Sequence, residues 1–273
     1  MKKIRESAIA GSWYPGDKNE LKNLLDSYWG KVKNHEIKEK VLGLISPHAG
    51  YIYSGSTAVA AYNLVRNSDI KTVVMLSPMH RIAIARYMTN AENFYRTPLG
   101  LVPVDHEKID KLRKLVNITY IAGDEEHSLE IQLPFLQYAL KEFSILPVLV
   151  GHGDVYDVSD MADAVCEVCD KESTLLVASS DMHHIDDYTQ VEEKDKRFIE
   201  ALQNFDLVEI RKILSSRDTT ICGKVPISIM LDVAVKWGAG KAVILKHTHS
   251  SEITGRKIIG EYTVGYLAAA ITE

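Results

Sequence analysis

Histidines recur at one kind of position in this sequence, directly after an apolar stretch that has the character of a β-strand. The segments SPH, SPMH and SSDMHH end three such stretches and carry His48, His80, Asp181 and His184. Imidazole nitrogens bind transition metals and exchange protons near neutral pH. A lone histidine is more often a surface or hydrogen-bonded residue, but this repeated position predicts one shared site for metal binding or catalysis.

Cys222 is a further candidate, because it lies in the segment DTTICGKVPIS shortly before a helix predicted over residues 226–236. The amides and dipole at a helix N-terminus favour negative charge, and Lys224 adds a positive one, so the sequence predicts a lowered thiol pKa. Gly223 allows the backbone to approach its surroundings closely. The alternative is that Cys222 is a small, buried, apolar residue.

Two imidazoles and one thiolate form a set of three protein ligands with coordination positions left open, as in catalytic metal centres. We therefore predict that His48, His80 and Cys222 bind one metal ion. Iron(II), copper and zinc all accept these ligands, so the residues leave the metal open.

Three further residues are predicted to act beside the metal. Asp181 and His184 are expected to orient ligands or to transfer protons. His127 lies in DEEHSLEIQLPFL, where a helix is predicted to begin. Acidic residues at a helix start stabilise it by capping and by the helix dipole. The segment is therefore either a helix cap or a means of bringing His127 or Glu130 into the pocket.

The remaining cysteines and histidines carry weaker signals. Cys166 and Cys169 lie inside a predicted helix without a second cysteine pair, so packing is expected rather than zinc or redox chemistry. The HTH segment at 247–249 is ambiguous. Histidines without a chemical context are predicted to be surface or hydrogen-bonded residues: His35, His106 and His152.

Alternating strands and helices must position these residues. Strands are predicted over residues 41–46, 72–77, 82–88, 118–121, 144–150, 174–179, 241–247 and 262–270. Helices are predicted over residues 18–32, 56–65, 105–115, 128–141, 158–169, 191–203, 206–214 and 226–236. This alternation favours a single three-layer α/β/α domain over residues 1–273, with a largely parallel or mixed sheet. Ligands of such sheets bind at the carboxyl ends of the strands, where the histidines lie.

Composition excludes several classes of function. The net charge is −5 and no block of five like charges occurs, which argues against nucleic-acid binding. No apolar stretch reaches the roughly 18–20 residues of a membrane span. The N-terminus does not resemble a signal peptide, and three cysteines do not form a disulfide framework. We expect a reduced, cytoplasmic protein.

Several longer motifs resemble the Memo family, also known as protein B of the AmmeMemoRadiSam system. They follow the family's order along nearly the whole chain: AGSWYPGD, PHAGYIYSG, SPMH, YRTPL, DEEHSLEIQLPFL, LPVLVG, SSDMHH and TTICGKVPI. The resemblance implies a fold like that of class III extradiol dioxygenases, whose iron(II) is held by two histidines and a glutamate. In the Memo family a cysteine replaces that glutamate.

The resemblance also assigns residues and partners. The family's two histidines and cysteine fall on His48, His80 and Cys222, and its pocket aspartate and histidine fall on Asp181 and His184. Microbial members are associated with a radical-SAM protein and an AMMECR-type protein, which implies a functional link to both. The substrate implied is an unidentified small molecule or peptide.

The sequence thus favours a metal-dependent redox protein with iron or copper. A thiolate donates more charge than a carboxylate and can itself be oxidised, so ring-cleaving activity does not follow from the fold. Two alternatives stay open. One is a zinc-dependent hydrolase or lyase, and the other is a non-enzymatic module that binds a peptide or ligand in the same pocket.

Overall fold

A mixed β-sheet forms the centre of the computed structural model, which describes residues 3–273. In chain order the strands are β1 (Ile4–Arg5), β2 (Val41–Ser46), β3 (Thr72–Pro78), β4 (Tyr87–Asn90), β5 (Phe94–Thr97), β6 (Gly100–Pro103), β7 (Ile118–Ile121), β8 (Ser144–Val150), β9 (Thr174–Ser179), β10 (His184–Ile185), β11 (Lys241–His249) and β12 (Thr263–Thr272). The α-helices are α1 (Lys18–Trp29), α2 (Ser56–Tyr62), α3 (His106–Leu115), α4 (His127–Glu130), α5 (Leu133–Ala139), α6 (Ser159–Val168), α7 (Tyr188–Gln203), α8 (Leu207–Ser215), α9 (Lys224–Lys236) and α10 (Ser250–Thr254). A π-helical turn, Tyr51–Gly55, precedes α2, and a short 3-10 turn, Asn63–Val65, follows it.

The main sheet combines parallel and antiparallel pairs. Its order is β10-β12-β2-β9-β3-β8-β4-β7, and β11 also pairs with β12. Neighbouring strands from β2 to β8 in this order are parallel, whereas β12 is antiparallel to its partners. A smaller sheet has the order β1-β5-β6. The predicted α/β class with a mixed sheet is therefore confirmed.

Two groups of helices cover the sheet. Helices α1 and α5 contact α2, which packs on β2 and β12, whereas α3, α6, α8 and α9 form a second connected group in which α9 packs on β2, β3 and β9. Every residue of β3 and β9 is buried, which explains their continuous apolar sequences. Within residues 3–273, no helix has the length and hydrophobicity needed to cross a bilayer.

The strand order brings the predicted site residues to one edge. β9 lies between β2 and β3 and runs parallel to both, with Ser46 opposite Ser179 and Leu76 opposite Ala178. The carboxyl ends of these three strands therefore meet, and the segments after them converge.

The strand predicted over 82–88 is wrong for most of its length. The strand begins only at Tyr87, and Ile82 and Ile84 are 84% and 63% exposed. The alternation of isoleucine and alanine resembles a half-buried strand, but these residues lie in a loop without a covering layer.

The helix predicted over 128–141 is two helices. Helix α4 ends at Glu130, and α5 starts at Leu133 with Pro134 in its first turn. Proline has no backbone N–H to bond the carbonyl of Glu130, so the two turns cannot form one regular helix. The small sheet and the short β10 and α10 were not predicted, because segments of two to five residues carry little periodicity.

Candidate metal centre

The three predicted metal ligands converge. One donor atom each of His48, His80 and Cys222 lies within 4.8 Å of the others. Zinc lies about 2.0–2.1 Å from nitrogen and about 2.3 Å from sulfur, so donors at tetrahedral angles on one such ion are roughly 3.3–3.6 Å apart. The set therefore fits a single ion after the donors approach one another by up to about 1 Å, and its nitrogen and sulfur chemistry suits iron, copper or zinc.

His48 is held at the end of β2 by backbone and side-chain contacts. It is 2% exposed, and its backbone N–H donates to Asp181 Oδ1 over 2.7 Å. Its Nδ1 lies 3.1 Å from Ser179 Oγ, whose proton is donated to the carbonyl of Ser128 over 2.6 Å. Since that hydroxyl has only one proton, it accepts from His48, which leaves His48 Nε2 free for a metal. Burial, followed by the neighbouring His80, lowers the pKa of His48 well below its ordinary value.

His80 follows β3 and contacts Glu126. Its backbone N–H and its Nδ1 lie 2.5 and 3.0 Å from the two oxygens of that carboxylate. Glu126 is the N-cap of α4 and accepts from Ser128 N–H over 2.9 Å. Although burial opposes its ionisation, the hydrogen bonds from His80 and Ser128 hold the pKa of Glu126 at about 2.

Cys222 reaches this edge because the loop before α9 passes close to the end of β9. Gly223 N–H donates to Ser180 Oγ over 2.9 Å, and a Cβ on Gly223 would lie 2.5 Å from Ser180 Cβ. The predicted close backbone approach is thus present. The expectation of a lowered thiol pKa is wrong for the metal-free chain: burial, followed by the charge of Asp181, raises the pKa of Cys222.

Asp181 and His184 lie beside the three donors. Burial raises the pKa of Asp181 to about 7, although backbone N–H groups of His48 and Ala49 favour its anion. His184 Nε2 lies 3.2 Å from Cys222 Sγ, and its Nδ1 lies 2.9 Å from the hydroxyl of Tyr262. Burial lowers the pKa of His184 to about 4, and His80 contributes in the same direction.

His127 also faces the pocket. Its ring stacks on His80 with centroids 4.7 Å apart and lies 4.4 Å from the ring of Trp13. Burial lowers the pKa of His127 to about 4. Glu130 points elsewhere: it is fully buried and accepts hydrogen bonds from Arg5, Ser7 and Tyr14.

These side chains enclose a cavity of about 550 Å³. The candidate ligands line it together with Asp181, His127 and His184, and the remaining wall residues are mostly aromatic or apolar. The wall residues are Ser12, Trp13, Ala49, Gly50, Ile52, Tyr53, Tyr262 and Val264. The volume lies in the range of small-molecule pockets.

The other histidines and cysteines lie outside this cavity. His183 Nδ1 and His247 Nε2 each lie 2.8 Å from the buried carboxylate of Asp195, and His249 contacts Glu192. The HTH segment is therefore part of a hydrogen-bonded layer between β11 and α7. Cys166 and Cys169 are free thiols of α6 and its C-terminus, and the second is buried.

Sequence reasoning missed the residues that hold the ligands. Ser179, Gln132 and Glu126 contact or support the imidazoles but do not follow the strand–histidine pattern. Gln132 Nε2 donates to Ser179 Oγ over 2.8 Å, and to the carbonyl of Pro47 over 3.0 Å. The acidic residues before His127 were the only sequence feature that pointed to Glu126. Helix capping explains the same residues equally well, so they did not identify a contact with His80.

The fold and this site define an α/β protein with a candidate two-histidine, one-cysteine metal centre at the carboxyl edge of its sheet. The sequence profile described as "Memo-like protein" matches residues 5–270. The chain therefore belongs to the Memo family.

Relatives and a solved structure agree with this assignment. A MEMO1 family protein of Aquifex aeolicus is 36% identical over 259 residues, covering 93% of this chain and 94% of that protein. One of Methanosarcina barkeri is 34% identical over 275 residues, covering 99% and 100%. The crystal structure of an uncharacterized protein from Escherichia coli K12 has a TM-score of 0.56 at 12% identity and covers 85% of this chain and 100% of that one. At that identity the likeness concerns the fold alone.

Proposed function

We propose that this protein is a metal-dependent redox enzyme that holds one iron or copper ion with His48, His80 and Cys222. The observation that carries the proposal is the convergence of these donors, from three distant segments, within 4.8 Å of one another in the lining of a cavity. Three protein ligands leave coordination positions for a substrate, unlike a closed structural site.

The donor set supports redox chemistry over purely structural binding. A thiolate with two imidazoles suits iron and copper, and these ions supply a one-electron couple when bound. Cys222 must lose its proton to bind metal, so metal binding is expected to release a proton.

The neighbouring side chains supply the remaining functions. Asp181 and His184 lie where they can move protons between the cavity and the ligands, since His184 Nε2 is 3.2 Å from Cys222 Sγ. His127 is a third acid–base candidate, which lines the same cavity beside Trp13. The aromatic and apolar walls exclude water and favour a small molecule with an apolar body.

Anaerobic purification followed by metal analysis, optical spectroscopy and EPR tests the proposal. We expect iron or copper at about one ion per chain, with a sulfur-to-metal absorption band that disappears in Cys222→Ser. His80→Ala should lose the metal and remain folded, because its side chain is one-third exposed. The matched control is Cys166→Ser, which changes a thiol outside the cavity and should keep the band.

The other functional classes give different outcomes. Zinc alone, without oxygen consumption, would replace the redox proposal with a hydrolase or lyase in which the ion polarises water or a carbonyl. No metal under any loading condition, together with tight peptide binding, would favour a binding module.

A further inference from the structure

Glu126 is a buried carboxylate that lies beside two of the histidines lining the cavity. It is 1% exposed, and its oxygens accept from two backbone N–H groups, those of His80 and Ser128. Oε1 in addition lies 3.0 Å from His80 Nδ1 and 3.2 Å from His127 Nδ1. One carboxylate thus joins the loop after β3 to the start of α4.

This contact pattern determines the tautomer of His80. An ionised carboxylate only accepts hydrogen bonds, so the nitrogen that faces it must carry the proton. Glu126 contacts His80 at both its backbone N–H and its Nδ1, so this one carboxylate sets the orientation and the tautomer of the His80 ring. The lone pair is then on Nε2, the nitrogen turned away from Glu126.

His127 meets the same oxygen. Its Nδ1 faces Glu126 Oε1, and its ring stacks on that of His80. This pair lacks the alignment of a hydrogen bond, so Glu126 determines the tautomer of His80 but not that of His127. His48 has a different partner, the neutral hydroxyl of Ser179, so the two candidate metal-binding histidines are oriented by groups of different charge.

We propose that Glu126 is the positioning residue of this centre, which fixes His80 as the Nδ1–H tautomer so that its Nε2 atom serves the cavity. The inference rests on the proposed function for its metal-related part, but not for the tautomer. A hydrogen-bonded carboxylate also makes an imidazole a stronger ligand, and loss of such a partner typically weakens metal binding about 10- to 100-fold.

A competing arrangement uses the same atoms. His80, Glu126 and His127 also present donors within 4.8 Å of one another, which is compatible with a second ion. The hydrogen bonds argue against a second ion at Oε1, because this oxygen already accepts from Ser128 N–H and His80 Nδ1 and lies beside His127 Nδ1. An ion on Oε1 would have to displace these contacts.

The test compares wild type with Glu126→Gln, and with Glu125→Gln as the control, because Glu125 is the exposed neighbour in the same loop. Zinc and iron(II) affinities are measured by chelator competition, and histidine tautomers by ¹⁵N–¹H NMR of the metal-free proteins. We expect one ion per wild-type chain, about 10- to 100-fold weaker binding in Glu126→Gln, and conversion of His80 from the Nδ1–H form to a mixture of tautomers. Glu125→Gln should match wild type.

Each other outcome is decisive. Unchanged tautomers in a folded Glu126→Gln variant overturn the proposal. Two ions in wild type and one, bound at unchanged affinity, in the variant make Glu126 a ligand of a second ion and also overturn it. Altered tautomers without metal binding in any form uphold the positioning role while the proposed function fails. If Glu126→Gln does not fold, Glu126→Asp keeps the charge but shortens the reach, and it should give an intermediate loss of affinity.

Discussion

Among residues 3–273, two buried carboxylates each lie beside two imidazoles, one at the cavity and one away from it. Glu126 faces His80 and His127, whereas Asp195 faces His183 and His247. Only the first pair lines the cavity. The same local chemistry therefore serves a candidate functional centre in one place and packing of α7 against β11 in the other.

The Asp195 cluster predicts an acid-dependent loss of stability. Burial opposes ionisation of Asp195, but hydrogen bonds from His183 and His247 outweigh it and hold its pKa below the ordinary value. A carboxyl with a lowered folded-state pKa adds stability above its unfolded pKa, and this contribution disappears as the pH falls through the folded value. Asp195→Asn should therefore lower the free energy of unfolding by about 1–3 kcal/mol near neutral pH and flatten its decline below about pH 4.

Urea unfolding at a series of pH values measures this effect. Glu193→Gln, an exposed change on the same helix, is the control and should reproduce the wild-type curve. If the free energy of unfolding of Asp195→Asn followed the wild-type pH dependence at every pH, the Asp195 cluster would not be the cause of the stability loss in acid.

The candidate ligands could be found from sequence, but their supports could not. His48, His80 and Cys222 stand next to strand and helix boundaries, which are visible in local composition. Glu126 and Ser179 act through hydrogen bonds to residues 46 and 131 positions away. Local periodicity carries no information on such pairs.

Among the elements, the loop before α9 determines where Cys222 lies. Gly223 fits against β9 because it lacks a side chain: an added Cβ would lie 2.6 Å from the carbonyl oxygen of Ser179. Gly223→Ala should move the loop, weaken metal binding and lower the free energy of unfolding by about 1–3 kcal/mol. Chelator competition and urea unfolding measure the two effects.

Gly240→Ala is the matched control, because an added Cβ would meet no atom within 4 Å there and the backbone is not left-handed. It should leave metal binding unchanged. Equal behaviour of the two alanine variants would mean that the loop tolerates displacement and that the position of Cys222 is not set by this contact.

The predicted elements divide by length. Strands β2, β3, β8 and β9 and the longer helices follow from continuous apolar runs and helical periodicity. The two-residue β1 and β10 depend on partners that are distant in sequence. Strands β5 and β6 form a hairpin of four-residue strands, which are too short to show clear periodicity. The strand predicted over 82–88 failed for a different reason. Isoleucine and alanine do alternate there as in a half-buried strand, but no layer of the fold covers the isoleucines.

At the scale of the whole molecule, Arg5 anchors the N-terminal segment, which carries Trp13, to the rest of the fold. The Arg5 side chain is 1% exposed, and its guanidinium contacts both oxygens of Asp124, an oxygen of Glu130 and the carbonyl of Glu126. Arg5→Ala would leave two carboxylates without their buried partner, so we expect a loss of about 3–5 kcal/mol in the free energy of unfolding.

Arg96→Ala provides the comparison, because the pair of Arg96 with Glu6 is solvent-exposed. That change should cost at most about 1 kcal/mol. Urea unfolding of both variants measures the change in the free energy of unfolding. A similar small change in each would refute the proposed anchoring role of Arg5.

The pairing of β2 with β12 has a kinetic consequence. These adjacent strands lie far apart in sequence, at Val41–Ser46 and Thr263–Thr272, and β12 also connects β10 and β11 to the sheet. A very long loop must close before these hydrogen bonds form, and contacts between distant residues slow folding. Refolding from denaturant should accordingly be slow, and while β2 lacks its neighbour its open, apolar edge should make recovery fall as protein concentration rises.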